Sequence, residues 1–201
     1  MKHFEIIDEL FNIGSIKFGS FKLKNGMITP FYIDLRLIIS YPPLLQKIAD
    51  ALWEKVNLLS FKRVCGVPYN AIPIATAMSL KHQIPMLLKR KEIKDYGTKK
   101  ILEGAYEPHD ECLLIEDVIV SGKSIFETLE ALDYCQLSVH HVAVVVDREQ
   151  GGHINVRKHG IEMIALFTVT EIFQYLRRKQ KVSQHDVDVV KKFIEHHQVD
   201  F

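Results

Sequence analysis

CLLIEDVIVSGKSIFETLE, residues 112–130, combines in one span the signals of a buried strand, an acidic pair, a tight loop and a helix start. Cys112-Leu113-Leu114-Ile115 is short and continuously apolar, the pattern of a strand covered on both faces in a parallel sheet. Glu116 and Asp117 follow, so the expectation is a strand that ends in two carboxylates, at the edge where open α/β sheets bind ligands. Val120-Ser121-Gly122-Lys123-Ser124 is small and polar enough for backbone N–H groups to approach an anion. Ile125, Leu129 and Leu132 then recur at helical spacing, so loop amides and the positive end of a helix face one place. An ordinary strand-to-helix connection with solvated acids fits the same letters. A nucleotide-binding P-loop does not, because it needs Gly five positions before Gly122, and Asp117 stands there. Carboxylates that accept from a diol, beside amides that hold a monophosphate, describe a ribose 5-phosphate.

The order of apolar run, acid pair, aliphatics and Ser/Gly loop resembles the phosphoribosyl-pyrophosphate (PRPP) motif of the type I phosphoribosyltransferases. Other segments narrow the likeness: FKLKNGMITPFYIDLR (21–36), VCGVPYNAIPIA (64–75), PMLLKRKEIKDYGTKKILEG (85–104) and DREQGG (147–152). Together they are similar to the orotate phosphoribosyltransferase family, especially the form fused to a decarboxylase in UMP synthase, from about Phe4 to the last helix. The resemblance implies an α/β fold with a central, mostly parallel five-stranded sheet flanked by helices. It implies one domain over 1–201, with a small hood from about 1–40 plus C-terminal segments and a catalytic lid over about 90–103. The implied reaction transfers ribose 5-phosphate from PRPP to orotate, giving orotidine 5'-monophosphate and pyrophosphate in de novo pyrimidine biosynthesis. Mg2+ is the implied cofactor, bound mainly through PRPP and water. The implied assembly is a homodimer whose lid residues reach the neighbouring subunit's site.

By the same resemblance, PRPP is met by Lys24, Tyr69, Asn70, Arg90, Lys91, Lys94 and Tyr96, and by the run Glu116, Asp117, Val118, Ile119, Val120, Ser121, Gly122, Lys123 and Ser124. Orotate is bordered by Lys24, Tyr32, Ile33, Val120 and Arg148. Lys94 and Asp117 carry the catalytic assignment. The basic cluster Arg90, Lys91, Lys94, Lys99 and Lys100 around Gly97 reads as a solvated face or as a cationic lid. A lid that closes on departing pyrophosphate stabilises its charge and excludes water. Asn70 stands where many relatives carry Lys, and Tyr96 where many bacterial relatives carry His. Val120 replaces the usual Thr, and losing that hydroxyl costs about 0.5 to 1.5 kcal/mol of net hydrogen bonding, up to about tenfold in orotate affinity. Val120 also leaves open transfer to another nucleobase, and a non-enzymatic PRPP sensor is a further alternative.

The rest of the chain sets bounds. The 201 residues are 47% hydrophobic, which suits one α/β domain, and a net charge of +1 points to neither a nucleic-acid nor an anionic membrane surface. Cys65, Cys112 and Cys135 are odd in number and widely spaced, and read as thiols of a reducing cytosol, so a cytoplasmic location is expected. The start MKHFEIIDEL is too acidic for a signal peptide, and no apolar run approaches the roughly 20 residues that span a bilayer. The ten histidines form no HExxH-type pair, so no dedicated metal site is expected. The length leaves no room for a fused decarboxylase, so the next pathway step is expected elsewhere.

In order, Phe4, Ile7, Leu10 and Phe11 predict a helix ending near Gly14. Residues 21–36 alternate as a hairpin turning at Asn25-Gly26, and Pro42-Pro43 open a helix. Val64–Val67, Ile84–Leu88, Val142–Val146 and Ile161–Val169 read as strands, with helices entered near Pro73 and Thr170. Ser183 and Asp186 cap a last helix with the stripe Val187, Val190, Phe193 and Ile194. Arg148 admits two roles, an ion pair with Asp147 or Glu149, or a fork for a planar carboxylate such as that of orotate.

Overall fold

The computed structural model describes residues 3–22, 26–90 and 101–200. In chain order the elements are α1 (Phe4–Asn12), β1 (Ile16–Lys22), β2 (Ile28–Ile33), a 3-10 helix (Leu35–Ser40), α2 (Pro42–Val56), β3 (Arg63–Gly66), α3 (Ile72–His82), β4 (Met86–Lys89) and β5 (Leu102–Glu103). They continue with β6 (Cys112–Ile119), α4 (Lys123–Tyr134), β7 (His141–Asp147), α5 (Gly152–Lys158), β8 (Glu162–Thr168), α6 (Val169–Arg178) and α7 (Gln184–His196).

The apolar runs build the larger sheet, in the order β5-β4-β3-β6-β7-β8. Five strands are parallel, and β5 pairs antiparallel with β4 through Leu88 opposite Glu103. That two-residue edge is the one addition to the expected sheet. The buried Leu102 anchors it, while the Arg90 amide donates to the Ile101 carbonyl at 2.9 Å. β7 is buried from Val142 to Val146 because both faces are covered, and α2 lays Ile48, Ala49, Leu52 and Val56 into the core. From β3 the chain runs through α3 to β4 on one side, while β6 pairs on the other, so the strand order reverses between β3 and β6. A crevice for ligands opens at the carboxyl ends of strands at such a reversal.

β6 corrects one expectation. It runs on to Ile119, so Glu116 and Asp117 lie inside the strand rather than at its end. Glu116 pairs with Val144 and Val118 with Val146 in the β7 ladder, and the backbone stays extended because those hydrogen bonds outweigh the poor strand preference of acids.

β1 and β2 form a separate antiparallel pair with Phe18 opposite Phe31 and Phe21 opposite Thr29. One extra β1 residue is accommodated there as a bulge. Asn25 and Lys24 lie outside the described residues. The Phe31 ring meets Phe173 of α6 at 5.7 Å and Phe193 of α7 at 5.9 Å, both edge-on, which fixes the hairpin against these helices. Leu35 and Arg36, expected to prolong the strand, enter the 3-10 helix instead. The Asp34 carboxylate caps it, accepting from the Arg36 amide at 3.1 Å and pairing with the guanidinium at 2.6 Å, a local bond that overrides alternation. The Ser183/Asp186 capping box is present, and Thr168/Glu171 forms a second one at the start of α6.

Candidate active site

Parallel strands deliver their carboxyl ends to one edge. β4 ends before Arg90, β3 before the loop 67–71, β6 before Val120–Ser124, and β7 before Arg148. With neighbouring strands about 4.8 Å apart, these loops span about 14 Å from β4 to β7.

At the centre sits the acid pair. Glu116 is 4% exposed and Asp117 7% exposed, so neither is a solvated acid. The Ser124 hydroxyl donates to Glu116 Oε2 at 2.6 Å, and the Asp117 amide donates to Oε1 at 3.0 Å. Burial pushes the Glu116 carboxyl well above its usual range, the Asp117 carboxylate beside it adds to the shift, and the Ser124 hydrogen bond opposes it. Two adjoining acids in this setting share one proton more readily than they carry two charges. The site can therefore both accept and donate hydrogen bonds to hydroxyl groups.

The loop beside them forms an amide cup. Gly122 occupies the left-handed region at φ +91° and is the N-cap of α4, where no side chain caps the helix. A Cβ there would lie 3.1 Å from the Phe126 ring, so the position takes Gly for both conformation and space. The uncapped first-turn N–H groups and the positive helix end suit a bound phosphate. Lys123 and Ser124 are exposed at the helix start, and Ser121 and Val120 are half-buried on the loop. Val118 is half-buried, whereas the Ile119 side chain is buried against Gly152.

Across the strand-order reversal, the β3 loop folds back on bare backbone. A Cβ on Gly66 would meet the Ala71 carbonyl oxygen at 2.7 Å, and the Ala71 amide donates to Val67 at 3.3 Å. Tyr69 and Asn70 project from this turn into solvent, and α3 begins behind them without a side-chain cap.

Arg148 supplies the opposite chemistry. It is 8% exposed, its guanidinium stacks on the Phe31 ring at 4.6 Å, and its Nε is buried without a hydrogen-bond partner. Burial lowers its pKa to about 10. It pairs with neither adjacent acid: Asp147 accepts from the Glu149 amide at 2.7 Å and lies 3.8 Å from His153, while Glu149 accepts from the Thr170 amide at 2.6 Å. Among the described residues no carboxylate meets this guanidinium. A buried, planar, cationic fork of this kind is suited to a ligand carboxylate.

The remaining expected residues are placed as follows. β2 alternates, so the face that brings Phe31 to Arg148 also carries Ile33, and Tyr32 turns to the other side. There the Tyr32 hydroxyl accepts from Arg36 at 3.1 Å and its ring meets Phe21 at 5.7 Å. Arg90 forms an ion pair with Glu103 at the sheet edge. Lys24, Lys91, Lys94 and Tyr96 lie outside the described residues. Phe31 was not among the expected site residues, although its place beside Tyr32 and Ile33 on a predicted strand marks its face. Among the described residues no group of three His, Cys, Asp or Glu side chains is arranged to hold a metal ion, and no helix is long and apolar enough to cross a membrane.

No protein-family model matches the chain. Individual proteins do. It is 44% identical over 192 residues to uridine 5'-monophosphate synthase of Bos taurus, a match that takes in 94% of this chain and 40% of the bovine protein's length. It is 39% identical over 188 residues to orotate phosphoribosyltransferase of Chlamydia caviae, covering 92% of this chain and 91% of that one. Among solved structures, UMP synthase of Leishmania donovani superposes with a TM-score of 0.86 at 29% identity, over 95% of this chain and 42% of the other.

Proposed function

The chain belongs to the orotate phosphoribosyltransferase family, and from that premise we propose that it transfers ribose 5-phosphate from PRPP to N1 of orotate in de novo UMP synthesis. The products are orotidine 5'-monophosphate and pyrophosphate. The observation that carries the assignment of the acceptor is Arg148, a buried guanidinium with no carboxylate partner among the described residues. Orotate brings a planar carboxylate, and an acceptor without one leaves this cation unmatched.

On this reading, the amides of Val120–Ser124 and the start of α4 hold the 5-phosphate, and Glu116 and Asp117 hold the ribose hydroxyls. The anomeric carbon becomes cationic, oxocarbenium-like, as its bond to pyrophosphate breaks and the bond to orotate N1 forms. Buried carboxylates below the sugar favour that charge. Tyr69, Asn70, Arg90, Lys91, Lys94 and Tyr96 would meet the pyrophosphate, with Lys94 carrying most of the stabilisation. Lys24 would bridge both substrates, with Ile33 and Val120 bordering the base. The two adjoining acids are too few for a protein cage, but they fit Mg2+ coordinated chiefly by substrate oxygens and water. Bound Mg2+ would neutralise charge on the departing pyrophosphate.

We further propose a hood from about residues 1–40 plus C-terminal segments, and a lid at about residues 90–103 shared across a homodimer. The buried, unbridged Cys65 and Cys112 support a cytoplasmic setting. Val120 favours a second acceptor as the competing reading. Loss of orotate absorbance with PRPP and Mg2+, run beside adenine, hypoxanthine and uracil, separates the two. Turnover confined to orotate supports the proposal, and preferred turnover of another base overturns it.

A further inference from the structure

The residues that follow α7 are tied to the loop after β7 in a regular manner. The Val199 amide donates to the Gln150 carbonyl at 2.9 Å, the Gln150 side-chain amide donates to the His197 carbonyl at 3.1 Å, and the Gln198 side-chain amide donates to the Glu149 carbonyl at 2.9 Å. Contact is backbone to backbone: a Cβ on Gly151 would fall 2.2 Å from the Val199 carbonyl oxygen. One residue on, a Cβ on Gly152 would fall 2.7 Å from the Val120 carbonyl oxygen, so the start of α5 rests directly on the phosphate loop.

A single side chain joins these pieces. Asn155 on α5 is 1% exposed, and its Nδ2 donates both to the Ser121 carbonyl and to the Val199 carbonyl, each at 3.0 Å. Both hydrogens of that amide are thus used, one on the phosphate cup and one on the segment that holds Glu149 and Gln150. Arg148 immediately precedes that pair, and its own amide is held by the Ile119 carbonyl at 3.0 Å.

We infer that Asn155 is a positioning residue that clasps segment 197–200 to the site, fixing the phosphate loop at Ser121 and the Arg148-bearing loop with one amide. The inference rests on the proposed PRPP and orotate sites for its functional half. Asn155→Asp keeps the side-chain size and, as a carboxylate, has no donor for either carbonyl. Each carbonyl left without its donor loosens its loop, and losing one such bond is worth about tenfold in a binding constant.

Two measurements on the full chain separate the parts. In the ligand-free protein, Asn155→Asp should speed hydrogen exchange at the amides of Ser121–Ser124 and Glu149–Gly152 together; unchanged exchange overturns the clasp. With PRPP and Mg2+, the same variant should bind PRPP about tenfold more weakly and raise the orotate KM, with kcat much less affected. A lower melting temperature with both constants unchanged overturns the positioning role and leaves a structural one. If Asn155→Asp does not fold, the exposed Gln198→Ala carries the test: it removes the tie to Glu149 together with a bond to the Ile194 carbonyl of α7 and leaves the Asn155 bond to Ser121 in place, so it should raise the orotate KM and leave PRPP affinity unchanged, and an unmoved orotate KM overturns the proposal. A wild-type chain that binds no PRPP overturns the proposed function instead, while the exchange pattern still judges the clasp.

Discussion

Replacing Arg148 by Met should make the protein more stable and nearly unable to use orotate. Burial lowers the Arg148 pKa to about 10, and at about 1.36 kcal/mol per unit below its ordinary value this represents about 3 kcal/mol of cost for holding the charge. Against that stands the contact with Phe31 at 4.6 Å, a cation–π interaction worth about 0.5 to 1 kcal/mol. Met keeps an unbranched apolar stem in the same space, so the net gain is about 2 kcal/mol. For a chain of this size that raises the melting temperature by about 4 to 8 °C. In the active enzyme the same substitution removes charge-assisted hydrogen bonds to the orotate carboxylate, about 3 kcal/mol or roughly 150-fold in kcat/KM for orotate. Scanning calorimetry reads the first effect and spectrophotometric loss of orotate the second, with PRPP affinity as the control that stays in place. A lowered melting temperature would refute the reasoning, because it means the guanidinium has an anionic partner in the free protein. So would an orotate kcat/KM within a few-fold of wild type.

Lys94→Ala should cut turnover far more than it weakens PRPP binding; single-turnover rates beside a PRPP titration check this, and an unchanged turnover removes Lys94 from the catalytic role. Glu116→Gln should flatten the dependence of stability on pH. The folded state holds the Glu116 proton to higher pH than the unfolded state does, so wild-type stability falls as pH rises from about 4.3, the ordinary glutamate value, through the raised one. Melting temperatures of the two proteins across that window should converge at low pH and diverge above it, and parallel curves contradict the buried-acid account. Val120→Thr should lower the orotate KM by up to about tenfold through one added hydrogen bond; an unchanged orotate KM would mean that this position does not border the base.

Local chemistry made much of the fold readable. Continuous apolar runs announced the parallel strands, and Ser183 with Asp186 announced the last cap, because those signals depend on neighbours in the chain. What escaped depends on distant partners or on short elements. Glu116 and Asp117 appeared to end a strand, but pairing with β7 carries β6 past them to Ile119. The seven-residue α5 starts on Gly152 and has too few apolar positions to show a stripe, although its Gly–Gly entry has a spatial cause in Val199 and Val120. Thr168 and Glu171 make a capping box whose spacing was present in the letters, its cap two residues before the expected helix start. Phe31 beneath Arg148 and Asn155 beneath Ser121 join residues far apart in sequence, and no periodicity reports such contacts. In the site, the acids and the amide cup were legible as a local motif. The lack of any carboxylate for Arg148 among the described residues needed the positions of Asp147 and Glu149.

Titration calorimetry of PRPP into the full-length, magnesium-supplemented protein tests the central claim most directly. Saturable heat at one site per chain, diminished when Asp117 is replaced by Asn, is the predicted result. No heat from well-folded protein would contradict a site built from a buried acid pair and the loop amides of Val120–Ser124.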